Sequence, residues 1–143
     1  MFEITYVGDE KHLRSSGYNY NFNMKTGYFE RWGKTFEDDP KFAPAPEIVD
    51  FEVGCKCSFG CPFCYKNNTP NGGTTSFETF KSCFDKFPKS VCQIAFGIGD
   101  IDSVPDLWKM MEYCRVNKVI PNITINGDRL TDYYIRLLQD NCG

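Results

Sequence analysis

Histidine is nearly absent from this chain: among 143 residues there is one, His12, far from the cysteines. That scarcity excludes His-rich zinc sites and leaves no partner for Ser-His-Asp or Cys-His catalysis. Positive charge is also short. Sixteen Lys and Arg against nineteen Asp and Glu give a net charge of −3, with no basic patch of the kind that binds nucleic acid or an anionic membrane. No apolar run approaches the length needed to span a bilayer. The opening residues, Met1-Phe2-Glu3-Ile4-Thr5-Tyr6, lack the basic and apolar regions of a signal peptide. A cytoplasmic location is the expectation, and in a reducing cytosol cysteines serve metal or redox chemistry more often than disulfides.

Cysteine and aromatic residues, by contrast, are plentiful: eight Cys, thirteen Phe and eight Tyr. Three of the cysteines fall within eight residues, in the run Cys57-Ser58-Phe59-Gly60-Cys61-Pro62-Phe63-Cys64-Tyr65. Three thiolates in a C-x3-C-x2-C spacing can hold three irons of a [4Fe–4S] cubane and leave the fourth open to a small molecule. Cys55 lies close by, while Cys83, Cys92, Cys114 and Cys142 read as structural or incidental.

The chain divides at about residue 46. Residues 1–46 read as an appendage. Tyr18, Tyr20 and Phe22 alternate with Asn, Lys25-Thr26-Gly27 forms a turn, and Tyr28–Trp32 returns as a partner strand, predicting a β-hairpin. The acidic run Glu37-Asp38-Asp39 with Pro40, Pro44 and Pro46 reads as a linker. Residues 47–143 alternate short strands and helices. Strands are expected over Ile48–Val53, Val91–Phe96 and Asn122–Ile125. A capping box at Thr75-Ser76-Phe77-Glu78 opens a helix with Phe77, Phe80, Phe84 and Phe87 on one face. Pro105 suits the first turn of a second helix, and a third runs from about Thr131 to Gln139. Three βα units in series predict an α/β fold with a parallel sheet. Asp50 and Glu52, and likewise Asn122 and Thr124, put a polar stripe on one face of two strands, where a fully buried parallel sheet would be apolar on both. That stripe suggests a wet cavity.

The cysteine loop and its neighbours resemble the radical SAM superfamily. Its motif has this cysteine spacing on the loop after the first barrel strand, with an aromatic residue at the position of Phe63. Gly97-Ile98-Gly99-Asp100 is similar to the family's glycine-rich GGE segment, with Ile98 interrupting the glycine pair and Asp100 in place of the longer acid. Thr124-Ile125-Asn126-Gly127 is similar to its T-N-G segment. The resemblance implies that Cys57, Cys61 and Cys64 hold a [4Fe–4S] cluster, that the Phe63 backbone contacts adenine, and that Gly97, Gly99 and Asp100 meet the methionyl end of S-adenosylmethionine, with Asn126 a further contact. It implies reductive cleavage to a 5′-deoxyadenosyl radical that abstracts hydrogen from a small-molecule or peptide substrate, with flavodoxin or ferredoxin as electron donor. No residue identifies that substrate. The implied fold is a partial (β/α) barrel of about three βα units with the β-hairpin in front. Six units would need roughly 190 residues, so the chain resembles the N-terminal half of the family's core, a truncated or split form, with a second chain as a partner that completes the barrel. Two alternatives stand beside this reading: a glutaredoxin-like thiol–disulfide oxidoreductase using Cys61-Pro62-Phe63-Cys64, and a non-catalytic metal-binding module.

Overall fold

The computed structural model describes residues 1–143. It is an α+β fold with two separate sheets. Strands β1 (Glu3–Val7), β2 (Glu10–Arg14), β3 (Asn19–Asn23) and β4 (Phe29–Trp32) form an antiparallel sheet in chain order. Strands β5 (Ile48–Glu52), β6 (Gln93–Gly97) and β7 (Ile120–Ile123) form a parallel sheet, again in chain order. Between and after them come α1 (Phe77–Phe84), α2 (Leu107–Val116) and α3 (Asp132–Asn141).

The expected partial barrel with a hairpin in front is therefore corrected. Three strands are too few to curl and close on themselves, and the parallel sheet stays open. The first 46 residues carry four strands rather than two. Val7 pairs with Glu10 across the Gly8-Asp9 turn, where Gly8 has φ +57°. Gly-Asp at a two-residue connection is a hairpin signal, but the polar composition of Glu10–Arg14 masks the strand that follows it.

Each element has a local cause. Ser76, one residue later than the capping box places it, caps α1 by accepting from the Thr79 N–H, and the Asp106 carboxylate caps it from α2 by accepting from the Phe77 N–H at 3.0 Å. Thr131 caps α3 in the same way as Ser76 caps α1. The helix-facing side of the parallel sheet carries Val49, Phe51, Ile94 and Phe96, which pack with Phe80, Phe84, Leu107, Met110, Met111 and Cys114 into the main core. A second core joins the two sheets: Leu13, Tyr18, Tyr20 and Phe22 pack with Cys92 and Ile120. Polar bonds seal the same seam, Lys11 Nζ donating to the Val91 carbonyl at 2.6 Å and the Tyr20 hydroxyl to that of Ser90 at 2.9 Å. The antiparallel sheet thus closes the end of the parallel sheet where β6 and β7 begin, and leaves the other end free. No helix is long and apolar enough to cross a membrane.

Candidate functional site

The free end of the parallel sheet is where its strands finish, the end at which open α/β sheets bind ligands. Three loops meet there: Val53–Lys66 after β5, Ile98–Ser103 after β6, and Thr124–Leu130 after β7. The first carries the cysteines. It is built of turns, with Gly60 at φ +61° and the Cys64 N–H bonded to the Cys61 carbonyl at 3.1 Å. The segment Asn67–Thr74 folds back along its start. Cys57 N–H donates to Thr69 O at 2.9 Å, Thr69 N–H to Cys55 O at 3.1 Å, and Cys55 N–H to Gly73 O at 3.0 Å. That Asn- and Gly-rich segment is a brace for the cysteine loop.

The β6 loop forms the other wall. Gly97 O accepts from the N–H groups of Val53 and Gly54. At Gly99 a Cβ would stand 1.9 Å from the Lys56 carbonyl oxygen and 2.8 Å from Cys57 Cβ, so only glycine allows this approach. Asp100 is 5% exposed. Its Oδ2 accepts from the Ser58 N–H at 3.2 Å and hydroxyl at 3.3 Å, and its Oδ1 accepts from the Cys57 thiol at 3.4 Å. Gly97, Gly99 and Asp100, expected at the methionyl end of a ligand, thus spend their contacts on the cysteine loop. Asn126 makes an Asx turn, its Oδ1 accepting from the Asp128 N–H at 3.0 Å. It lies beyond β7, which ends at Ile123, two residues earlier than the sequence suggests.

Two cations that sequence reasoning missed tie the loops together. Lys66 Nζ donates to Gly54 O at 3.1 Å and Ile98 O at 3.2 Å and sits 3.5 Å from a Glu52 carboxylate oxygen. Arg129 donates to the Ser58 hydroxyl at 2.6 Å and pairs with Asp102 at 3.0 Å, its guanidinium lying over the Phe59 ring. Lys66 could have been flagged only by its place beside the cysteines; Arg129 carries no sequence signal beyond following the Asn126-Gly127 turn.

The thiols differ in their surroundings. Backbone N–H groups of Asn68, Lys66 and Asn67 lower the Cys64 pKa, favouring its thiolate. Burial and the Asp100 carboxylate raise that of Cys57. All eight cysteines are free. Cys92 and Cys114 are buried, and burial pushes the Cys114 thiol up to about 12. Phe63 and Tyr65 are 85% and 90% exposed at the tip of the loop. Below them lies a cleft of about 420 Å³ over the uncovered face of the sheet, bordered by Asp50, Glu52, Asn122 and Thr124, the polar stripe, with Tyr65 and Lys66 at its rim.

No three His, Cys, Asp or Glu side chains stand as ligands of one metal ion. A single-ion module built on Cys55, Cys57, Cys61 and Cys64 therefore has no support in the geometry. A cubane asks for a different arrangement, one thiolate per iron around a larger body. Cys57, Cys61 and Cys64 are part-exposed thiols on one turn-built loop, and Cys64 is favoured as thiolate. The oxidoreductase alternative needs its Cys-Pro-Phe-Cys run to open a helix, whose N-terminus would activate the first thiol; here α1 starts only at Phe77, beyond the bracing segment. Compared with known proteins, the sequence matches no family model and no curated relative.

Proposed function

We propose that this chain is a radical S-adenosylmethionine protein that holds a [4Fe–4S] cluster on Cys57, Cys61 and Cys64 and binds S-adenosylmethionine beside it. The observation that carries this reading is the meeting of the three post-strand loops at one end of the parallel sheet, with the cysteine loop held between the other two by Asp100, Lys66 and Arg129. The bound cofactors would supply a reductively generated 5′-deoxyadenosyl radical for hydrogen abstraction.

The chain's own residues do the holding. Gly99 lets the β6 loop seat against Lys56 and Cys57, and Asp100 fixes the Ser58 backbone between two ligand positions. Phe63 and Tyr65 offer exposed ring faces next to the cluster ligands, where an adenine can stack. The polar cleft of Asp50, Glu52, Asn122 and Thr124 opens alongside, a bed for a polar substrate within reach of the same loop. The exposed loop tip gives a ferredoxin or flavodoxin short access for electron transfer.

Anaerobic reconstitution with iron and sulfide, followed by EPR of the reduced protein, tests the reading. The expected result is a cluster signal that shifts on adding S-adenosylmethionine, as a ligand entering at an open iron requires. An unshifted signal, or failure to retain iron in wild type and Cys57→Ala alike, would refute it.

A further inference from the structure

A second cleft, of about 480 Å³, lies at the opposite end of the parallel strands, in the seam between the two sheets. Its apolar wall is Phe84, Phe87, Val91 and Val119, and Tyr6 of β1 faces it from the antiparallel sheet. Three lysines line it, Lys11, Lys89 and Lys118, and none belongs to any of the chain's ion pairs. The one acid at the cleft, Asp85, is already engaged by Lys81 and by the Tyr113 hydroxyl.

Lys11 is the unusual member. It is 1% exposed, and its ammonium makes one hydrogen bond, to the Val91 carbonyl. An ammonium has three donors, so two remain without a protein acceptor. Burying a charge that no anion balances is costly. Burial lowers the Lys11 pKa; the nearby Cys92 thiol works against that fall, and the positive charge of Lys118 adds to it. Both ammonium groups lie over the Tyr6 ring, Lys118 Nζ at 4.3 Å from its centre and Lys11 Nζ at 5.9 Å. Lys118 is placed there from a backbone with φ +63°, a conformation that a residue other than glycine seldom adopts. A chain with more acids than bases thus gathers unpaired cations around an aromatic-walled hollow.

We infer that this cleft binds a small amphipathic anion, a carboxylate or phosphate head on an apolar ring or short chain. The head sits with Lys11 and Lys118, taking the donors that the protein leaves free. The body lies against Phe84 and Phe87, while Tyr6 backs the two ammonium groups that hold the head. The site is remote from the cysteine loop and does not depend on the chemistry proposed there.

Titration of isotope-labelled protein, followed through its amide NMR spectrum, tests this with three probes sharing one ring: benzoate, phenyl phosphate and benzyl alcohol. At least one anion should give saturable shifts centred on Val91, Lys118 and Val119, and which anion binds more tightly decides between carboxylate and phosphate heads. Benzyl alcohol should bind about tenfold more weakly, the loss of a charge-assisted contact. Lys118→Gln changes an exposed side chain, so its spectrum should stay folded while anion affinity drops about tenfold. Lys11→Met should abolish binding, but removing a buried group can also unfold the seam, and Lys118→Gln keeps the test decisive. No saturable shift with either anion, equal binding of benzyl alcohol, or undiminished affinity in Lys118→Gln would overturn the inference.

Discussion

Asp100 and Ser58 lie forty-two residues apart in the chain, yet the Asp100 carboxylate accepts both the backbone N–H and the hydroxyl of Ser58. This contact fixes the residue between Cys57 and the rest of its motif. Asp100 is buried while Arg129, its cationic neighbour at 3.9 Å, is half exposed. Replacing Asp100 with Ala leaves Ser58 N–H without its acceptor and should cost ~1–3 kcal/mol of stability. Faster hydrogen exchange at the Ser58 amide and lower iron retention after reconstitution are the expected readouts. A Ser58 amide as protected as in wild type would show that the loop holds its shape without Asp100.

Gly99→Ala should be harsher on the loop than on the fold. The new methyl would fall 1.9 Å from the Lys56 carbonyl oxygen, a backbone atom that cannot swing aside as a side chain can. Either the β6 loop or the cysteine loop has to move, at a cost of ~1–3 kcal/mol typical of overpacking. Thermal unfolding should fall modestly, while iron content of the reconstituted protein falls to near that of Cys57→Ala. Full iron loading would remove Gly99 from its role as the close-approach residue.

How far the sequence reveals this molecule depends on which signals it writes plainly. The parallel strands are legible because Ile48–Glu52 and Gln93–Gly97 are short runs rich in apolar residues between turn-rich segments, and their ends differ from expectation by one or two residues. Of the antiparallel sheet only the second half is: the β3–β4 hairpin forms where the aromatic runs predict it, while β1 and β2 carry no such signal. Lys11 reads as a surface residue in Glu10-Lys11-His12-Leu13-Arg14, yet it is buried, because its acceptor is a carbonyl eighty residues away. The partial barrel is implied by the family resemblance alone, and a loop motif is silent on how the strands beyond it curl or close. The cysteine motif is visible as spacing, but the residues that seat it, Lys66 and Arg129, act through long-range contacts that no local pattern announces.

Phe63→Ala separates binding from folding. The ring is 85% exposed, so its loss should change stability by no more than about 0.5 kcal/mol. If the ring face receives adenine, affinity for S-adenosylmethionine should weaken about tenfold or more while the cluster spectrum stays as in wild type. Phe80→Ala is the matching control. That side chain is fully buried against Phe51, Phe84 and Phe96, and its removal should cost ~3–5 kcal/mol in chemical unfolding.

Tyr18 predicts an alkaline limit to stability. It is 3% exposed, and burial, with the Glu47 carboxylate nearby, pushes its phenol up to about 12. Neither the Tyr18 hydroxyl nor Glu47 Oε1 makes a hydrogen bond of acceptable geometry. Because the folded phenol holds its proton more tightly than the unfolded one, whose value is about 10, the folded state binds more protons between the two. The part of stability that Tyr18 contributes is therefore intact below about pH 10 and declines as pH climbs toward 12, beside the alkaline losses from the buried Cys92 and Cys114 thiols and the Tyr20 phenol, which are raised in the same direction. Tyr18→Phe removes that titration together with a hydroxyl that lacks a partner. Its stability at neutral pH should match or exceed wild type by up to ~1 kcal/mol, and the alkaline decline in denaturant midpoint should flatten. A variant less stable than wild type at neutral pH would mean that the hydroxyl has a bonded partner after all, with Glu47 as the acceptor to examine by Glu47→Gln.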